Sequence, residues 1–290
     1  MRYDFIRQQM KAYPVTLICR VMQVSRSGFY DYLRKYNVQG PVDPIQNALE
    51  ARIKEIFNES KGTYGSRRMV KKLKSEGYDV GRYRIRNLMR KIKLKAKTPK
   101  RYKVTTDSNH SYTIAPNVVN RQFSADAPNK LWTTDITYLW TMEGWMYLAV
   151  VLDLFSRQVV GWAMDKHMKV QLTLDALAMA YWRRKPEPGL IHHSDRGIQY
   201  ACDQYQRQLE LFKMIPSMSR KGDCWDNSPT ERFFRSLKYE HLLSCMLPTR
   251  EAAKRETLEY ITFYNAYRLH STLGYKSPME FEREILLKAA

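Results

Sequence analysis

Apolar side chains recur every three to four positions through roughly the first ninety residues and fall into short, nearly continuous runs beyond about residue 130. That change of period predicts a helical front half and a sheet-forming back half. Pro14 to Met22 is apolar at Val15, Ile18 and Met22, and Val24-Ser25-Arg26-Ser27-Gly28 reads as a turn before a second helix over Phe29 to Tyr36. The spacing is that of a helix-turn-helix. A longer unit follows, with helices over Ile45 to Phe57, Ser66 to Lys74 and Arg82 to Lys93, the last two separated by the break Glu76-Gly77-Tyr78. Ile85, Leu88 and Ile92 form the inner stripe of the last helix. Between Leu94 and Asn129 periodicity disappears, and the Thr, Ser, Asn and Pro content suits an extended connector.

The back half predicts strands over Leu131 to Trp140 and Trp145 to Phe155 around the turn Met142-Glu143-Gly144, and a third over Arg157 to Met164. Helical spacing at Leu174, Leu177, Ala178 and Tyr181 places a helix over Val170 to Arg184. A short strand over Leu190 to His193, a helix from about Tyr200 to Leu211, a strand near Lys213 to Ser217 and further helices complete the order. Three antiparallel strands followed by alternating helices and strands predict an α/β fold, a mixed sheet of ribonuclease-H-like order behind all-α helix-turn-helix modules.

Charge sharpens this division. The net charge is +20, and residues 1 to 104 hold 26 Lys and Arg against 8 Asp and Glu, whereas the remainder holds 23 against 21. A field so concentrated attracts polyanions, with counterion release from nucleic acid as the usual gain. The competing reading of charge alone is a solubilising basic surface. Arg82, Arg84, Arg86, Arg90 and Lys91 surround the apolar stripe of their helix, as in a recognition helix that contacts phosphates and guanine edges. Arg26, Ser27, Arg67 and Arg68 in the helical modules and Lys97 and Arg101 in the basic connector complete the expected DNA contacts on this side. The four cysteines show no C-x-x-C and no paired Cys/His spacing, so neither a zinc site nor a disulfide framework is expected. The absence of an 18-residue apolar run or a signal-type N-terminus predicts a cytoplasmic protein with no membrane partner.

Three acids carry the candidate chemistry. Asp135 lies mid-strand, where an unpaired carboxylate is costly unless cations or donors meet it. Asp195 ends the fourth strand, at the carboxyl edge where open α/β sheets bind ligands. Glu231 falls in the first turns of a helix expected to be capped by Asp226 or Asn227 and to run through Phe233, Phe234 and Leu237. Oxygen ligands without a thiolate or histidine cluster suit magnesium or manganese, two ions of which would flank an in-line phosphoryl displacement. Lys238 and Arg235 return to the face of Glu231, while Glu240 lies across the same helix. Asp153 is read as a turn cap, His192 as a core residue, and His193 is left open.

Beside these residues stand longer motifs: Trp132-Thr133-Thr134-Asp135-Ile136-Thr137-Tyr138, Val151-Leu152-Asp153-Leu154-Phe155-Ser156-Arg157, and His193-Ser194-Asp195-Arg196-Gly197 through Gln199-Tyr200. Ser217 to Gly222, Trp225-Asp226-Asn227, Glu231 with Phe233-Phe234 and Leu237-Lys238, and Tyr264-Asn265, Arg268, His270-Ser271, Leu273-Gly274-Tyr275 and Ser277-Pro278 extend them. Together they resemble the integrase-type transposases of bacterial insertion sequences. The likeness is to the downstream-frame product of the insertion-sequence-three family, with a DDE integrase core related to that of retroviral integrases. The resemblance implies Asp135, Asp195 and Glu231 as the catalytic triad with Lys238 as its accompanying basic residue, Mg2+ as cofactor with Mn2+ as substitute, and nicking at element ends followed by strand transfer. It also implies double-stranded DNA partners (terminal inverted repeats and target), a dimer or higher multimer, and an upstream-frame protein as a further partner, since the chain shows no sustained heptad of its own.

The expected organisation is a helix-turn-helix module over 1–40, a second helical DNA-binding module over 41–94, a basic extended linker over 95–128, and the catalytic core with C-terminal helices over 129–290. A bacterial, nucleoid-associated protein is the expectation. Two alternatives stay open at this stage: a non-catalytic DNA-binding regulator keeping the core as scaffold, and a nuclease without strand transfer.

Overall fold

In a computed structural model the chain is described over residues 1–35, 44–97, 112–221 and 224–289. It divides into two units, Met1–Lys54 and Glu55–Ala290. In the first, α1 (Arg2–Gln9), α2 (Val15–Val21) and α3 (Arg26–Lys35) enclose Ile6, Ile18, Cys19 and Phe29. The turn before α3 is closed by the Gly28 amide donating to Ser25 Oγ at 3.0 Å. Helix α1 was not expected. It buries Ile6 fully and leaves Phe5 exposed, so its apolar stripe is too thin to stand out among Arg and Gln. Helix α4 (Pro44–Glu59) carries the chain into the second unit.

That unit opens with α5 (Ser66–Ser75) and α6 (Arg82–Lys91), which bury Met69, Leu73, Ile85, Leu88 and Met89. The break between them is a tight cap: Gly77 has φ +89°, and the Gly77 and Tyr78 amides donate back to Lys74 and Leu73. Glycine takes that left-handed conformation without a Cβ clash. Residues 112–129 have no helix or strand, yet they are packed: Val119 is buried, Ile114 and Ala115 lie against the core, and the Val118 amide donates to Ser217 Oγ.

The sheet comprises β1 (Leu131–Thr141), β2 (Gly144–Asp153), β3 (Val159–Asp165), β4 (Ile191–Ser194) and β5 (Ile215–Met218), in the order β3-β2-β1-β4-β5. β1, β2 and β3 pair antiparallel, while β4 and β5 run parallel to β1. This is the mixed α/β sheet expected from the sequence. Strand β2 is buried on both faces, and its alternate side chains serve different cores. Leu148, Val150 and Leu152 join Phe233, Tyr260 and Tyr264, whereas Ala149 and Val151 join Leu172, Leu177, Tyr200 and Tyr205. Two-sided burial is why this strand is one apolar run without alternation.

Helix α7 (Val170–Arg184) lies almost on β3: a Cβ placed at Gly161 would come within 2.3 Å of the Ala176 carbonyl oxygen. Hydrogen is the largest substituent that fits there. The helix expected over Tyr200 to Leu211 is two helices, α8 (Ile198–Ala201) and α9 (Asp203–Leu211), because Cys202 takes extended backbone between them. Strand β2 stops at Asp153, whose carboxylate accepts from the Phe155 amide at 2.9 Å and turns the chain. Helix α10 (Ser228–Ser236) passes into a π-helical turn over Leu237–His241, and α11 (Arg250–Ala266) and α12 (Pro278–Ala289) close the fold. None of the described helices is long and apolar enough to cross a membrane.

Candidate active site

Strand register sets the first two acids side by side. Thr133 of β1 pairs with His193 of β4, and carrying that parallel register forward two residues brings Asp135 level with Asp195, one residue past the end of β4. The Asp135 carboxylate accepts from the Ile136 amide at 2.7 Å, and that of Asp195 accepts from the Gly197 amide at 2.9 Å. The third acid is delivered by α10, whose first turn is tied to β1. Asn227 Nδ2 donates to the Thr134 carbonyl at 2.9 Å, and the Thr230 hydroxyl lies 2.8 Å from Thr133 Oγ1 and 3.0 Å from Asn227 Oδ1. Glu231 therefore follows a residue stitched to the strand segment just before Asp135.

The expected helix cap is corrected by this geometry. Asn227 occupies the cap position, but its side chain makes no capping bond and spans to β1 instead. Asp226 does not cap either. Its carboxylate accepts from Arg121 Nε at 2.8 Å, from Arg220 through Nε, NH2 and the backbone amide, and from Asn117 Nδ2 at 2.9 Å. Those donors, Arg220 foremost, hold its pKa far below the usual carboxylate range. His193, left open by the sequence, completes this knot: Nε2 donates to the Asp226 carbonyl and Nδ1 accepts from Ser217 Oγ, each at 2.9 Å. Burial pushes its pKa down, and pushes that of His192 to about 3, with His192 Nε2 held 3.2 Å from the Tyr205 hydroxyl.

All three acids are half-buried. Burial first and the Asp195 charge second push the Asp135 pKa well above its ordinary value, with Glu231 adding to the rise; the Ile136 amide and Lys238 oppose it. Glu231 is raised by burial and then by Asp195. Lys238 sits in the π-turn with Nζ 4.9 Å from the Tyr138 ring centroid. Burial lowers its pKa while Asp135 raises it. The site is thus three repelling carboxylates and one ammonium, a set of hard oxygen donors that fits divalent magnesium or manganese. Elsewhere among the described residues, His241, Cys245 and Glu256 bring three potential ligand atoms within 4.8 Å of one another.

The remaining acids have other partners. Asp153 accepts from the Asn129 and Phe155 amides and meets Arg184 at 3.4 Å. Glu240 receives two hydrogen bonds of 2.6 Å from Arg268 and one of 2.8 Å from Tyr260. Arg235 does not accompany Lys238: it is exposed and lines a separate cleft that none of the three acids lines. Of the expected DNA contacts, Arg26, Ser27, Arg67, Arg82, Arg84, Arg86 and Arg90 are exposed on their helices. Arg68 is half-buried toward Glu240, Lys97 donates to the Glu240 carbonyl and to Ser244 Oγ, and Arg101 lies outside the described residues. The positioning roles of Asn227 and Thr230 and the Asp226 knot were not anticipated. The polar pair ahead of the helix, in Trp225-Asp226-Asn227, was their one visible sign.

A sheet with two acids at adjacent strand positions and a third on a helix tied to the same strand defines an integrase-core protein. Family models agree: an integrase core domain matches residues 125–224, a second integrase core model matches 213–278, and a helix-turn-helix-like domain matches 44–102. The chain is 40% identical over 276 residues to the insertion element IS600 uncharacterized 31 kDa protein of Shigella sonnei, covering 94% of this chain and all of that one. It is 37% identical over 287 residues to transposase InsF for insertion sequence IS3A of Escherichia coli (strain K12), covering 99% of this chain and all of the relative. Among solved structures it is similar to the HTLV-2 integrase catalytic core domain in complex with magnesium, with TM-score 0.43 and 19% identity over 54% of this chain and 98% of that one. A simian T-cell lymphotropic virus intasome in complex with PP2A regulatory subunit B56 gamma gives TM-score 0.48 and 15% identity over 70% of this chain and 67% of the other. The chain belongs to the transposase family of IS3-type insertion sequences.

Proposed function

We propose that this chain cuts DNA at the ends of its insertion element and joins the freed strand to target DNA, with Asp135, Asp195 and Glu231 as the catalytic carboxylates. The observation that carries this reading is geometric: strand register sets Asp135 beside Asp195, and the Asn227 and Thr230 bridges to β1 bring the start of α10, and with it Glu231, to the same strand. Burial and the Asp195 charge raise both Asp135 and Glu231, and Lys238 opposes the rise at Asp135, as befits carboxylates that await added positive charge. Two divalent ions, Mg2+ or Mn2+ in its place, would activate the attacking oxygen and neutralise the departing one. The Asp135 oxygens would hold them from within β1, those of Asp195 from the end of β4 and those of Glu231 from the helix. Lys238 would bind a phosphate oxygen of the strand under attack.

In the first step a water oxygen forms a bond to phosphorus, the bond to the 3′ oxygen breaks, and the departing oxygen leaves as a 3′-hydroxyl. In the second, that hydroxyl attacks a target phosphodiester and releases a target 3′-hydroxyl. No covalent link to protein forms in either. The helical modules over 1–40 and 41–94 would read terminal inverted repeats, the linker over 95–128 would follow the backbone, and the core over 129–290 would cut within a dimer or larger assembly on DNA, with an upstream-frame protein as a further partner. Exposed Arg26, Ser27, Arg67, Arg82, Arg84, Arg86 and Arg90 support the DNA-reading part.

Labelled element-end DNA incubated with the purified chain and Mg2+ tests the proposal. Cutting followed by joining is expected, with both reduced about 10^3-fold or more in Asp135→Asn while end binding persists. Joining at wild-type rate by that variant overturns the carboxylate assignment, and binding without any cutting by the wild type makes the chain a regulator.

A further inference from the structure

On the other side of α10 from its link to β1, a cleft of about 340 Å³ gathers the opposite sign of charge. Arg68 of α5, Lys97, Arg157, Arg232 and Arg235 of α10, and Arg268 after α11 all line it, and among the described residues the acid facing them is Glu240 alone. Glu240 is committed, since Arg268 takes both its oxygens, so among the described residues lining the cleft most of the positive charge faces no other acid. The cations register one another. After burial, the Arg268 charge lowers the pKa of Arg68, that of Arg232 lowers Arg157, and Arg268, Arg68 and Arg157 together hold His270 neutral, with Nε2 accepting from Arg268 NH1 at 3.2 Å. Three guanidiniums at least half withdrawn from water, beside hydroxyls of Ser236, Ser271 and Thr272 that can also donate, make a lining rich in donors with one carboxylate among the described residues. Such a lining suits an anion with several oxygens, and guanidinium forks match phosphate oxygens in pairs.

We propose that this cleft binds a phosphodiester group of DNA, as an anchor separate from the acids and on the helix that carries Glu231. DNA is favoured over a free anion by what the cleft joins. One wall comes from α5, inside the segment matched by the helix-turn-helix-like model, and the other from α10, inside the second integrase core match. Arg82, Arg84, Arg86 and Arg90 of α6, exposed in the same matched segment as Arg68, add positive charge suited to a polyanion longer than one phosphate. The inference builds on the DNA-transposase reading, but it makes a claim about binding that needs neither metal nor cleavage.

The test measures fluorescence anisotropy of the full chain with a duplex of arbitrary sequence, in EDTA, across a salt series. Arg232 and Arg235 are exposed, so Arg232→Ala/Arg235→Ala is expected to fold with an unchanged melting curve. Its duplex affinity should fall about tenfold for any sequence, with the slope of log K against log salt shallower by about 0.9 for each phosphate released. Charge-conserving Arg232→Lys/Arg235→Lys should recover part of the affinity but not all, as lysine cannot grip two oxygens in a fork. Inorganic phosphate at millimolar concentration should compete only weakly. Unchanged duplex affinity and salt slope in the alanine pair overturn the proposal, as does tight phosphate competition with no effect of the substitutions on duplex binding, which would mark a small-anion site. Asp135→Asn measured in parallel keeps the two readings apart: it should bind like the wild type in EDTA, and its cleavage assay alone judges the carboxylates.

Discussion

Two clusters of like charge flank one helix, and they are held in place in different ways. On the β1 side of α10, the acids Asp135, Asp195 and Glu231 crowd one another, with the Lys238 ammonium opposing the rise at Asp135. On the other side, arginines crowd around a single carboxylate. The acids are placed by backbone: strand register positions two of them, and the Asn227 and Thr230 bridges to β1 position the third. The arginines are placed by one another's partner, since Glu240 grips Arg268, meets Arg68 at 3.6 Å and accepts from Tyr260. A backbone-fixed cluster keeps its shape when a member is neutralised. A cluster assembled around one counter-charge does not.

The largest expected effect breaks the second cluster. Glu240→Gln removes the sole acid from a buried guanidinium and should destabilise the fold by roughly 3–5 kcal/mol, measured by denaturant unfolding. Added sulfate should restore more stability to this variant than to the wild type, because the emptied cluster then takes its counter-charge from solution. Equal sulfate responses would show that the arginines do not act as one group.

Next in size is the knot behind the acids. Asp226 has a depressed pKa, so its contribution is present above the ordinary carboxylate range near pH 4 and is lost as pH falls through and below that range. Asp226→Asn should cost roughly 2–3 kcal/mol at neutral pH, a figure kept modest because Arg121 and Arg220 are about half exposed. The gap between variant and wild type should begin to narrow as pH falls below about 4 and keep narrowing through the acid range. A gap constant with pH would mean that shape, not charge, holds the knot.

The smallest effect has the opposite sign and separates the clusters most sharply. Burial and its neighbours raise the Asp135 pKa, so the ionised carboxylate weakens the metal-free fold as pH rises above the ordinary carboxylate range. Asp135→Asn should therefore raise the metal-free melting temperature by roughly 2–4 °C at neutral pH, and Mg2+ should stabilise the wild type but not the variant. A lower melting temperature in the variant would show that the carboxylate is held by donors, with repulsion of little account.

How far the sequence showed all this depends on how local each cause is. Helix α7 was legible to the residue, Val170 to Arg184, because its apolar stripe is dense and its ends fall at polar, basic residues. The sheet order followed from apolar runs and turn residues, and so did the mid-strand position of Asp135 and the strand-end position of Asp195. Helix α1 was missed because two or three apolar contacts suffice to hold it, and the break at Cys202 because one extended residue leaves no mark on periodicity. The π-turn over Leu237–His241 was invisible for a similar reason. A straight helix puts Arg235 and Lys238 together beside Glu231, whereas the structure sends Lys238 toward Tyr138 and Asp135 and Arg235 to the cleft. The arginine cleft could not be foreseen at all. Its members come from five separate stretches of chain, and only the packing of α5, α10 and the segment after α11 brings them to one place.

The five donors converging on Asp226 tie three separate stretches of chain, at Asn117 and Arg121, at Arg220 and at the 3-10 turn itself, to a point two residues ahead of α10. The incoming polypeptide is thus fastened beside the helix it precedes by more than a hundred positions, with no slack left between the two. A single carboxylate therefore anchors both the stretch leading into β1 and the turn leading into the helix that the two charge clusters share.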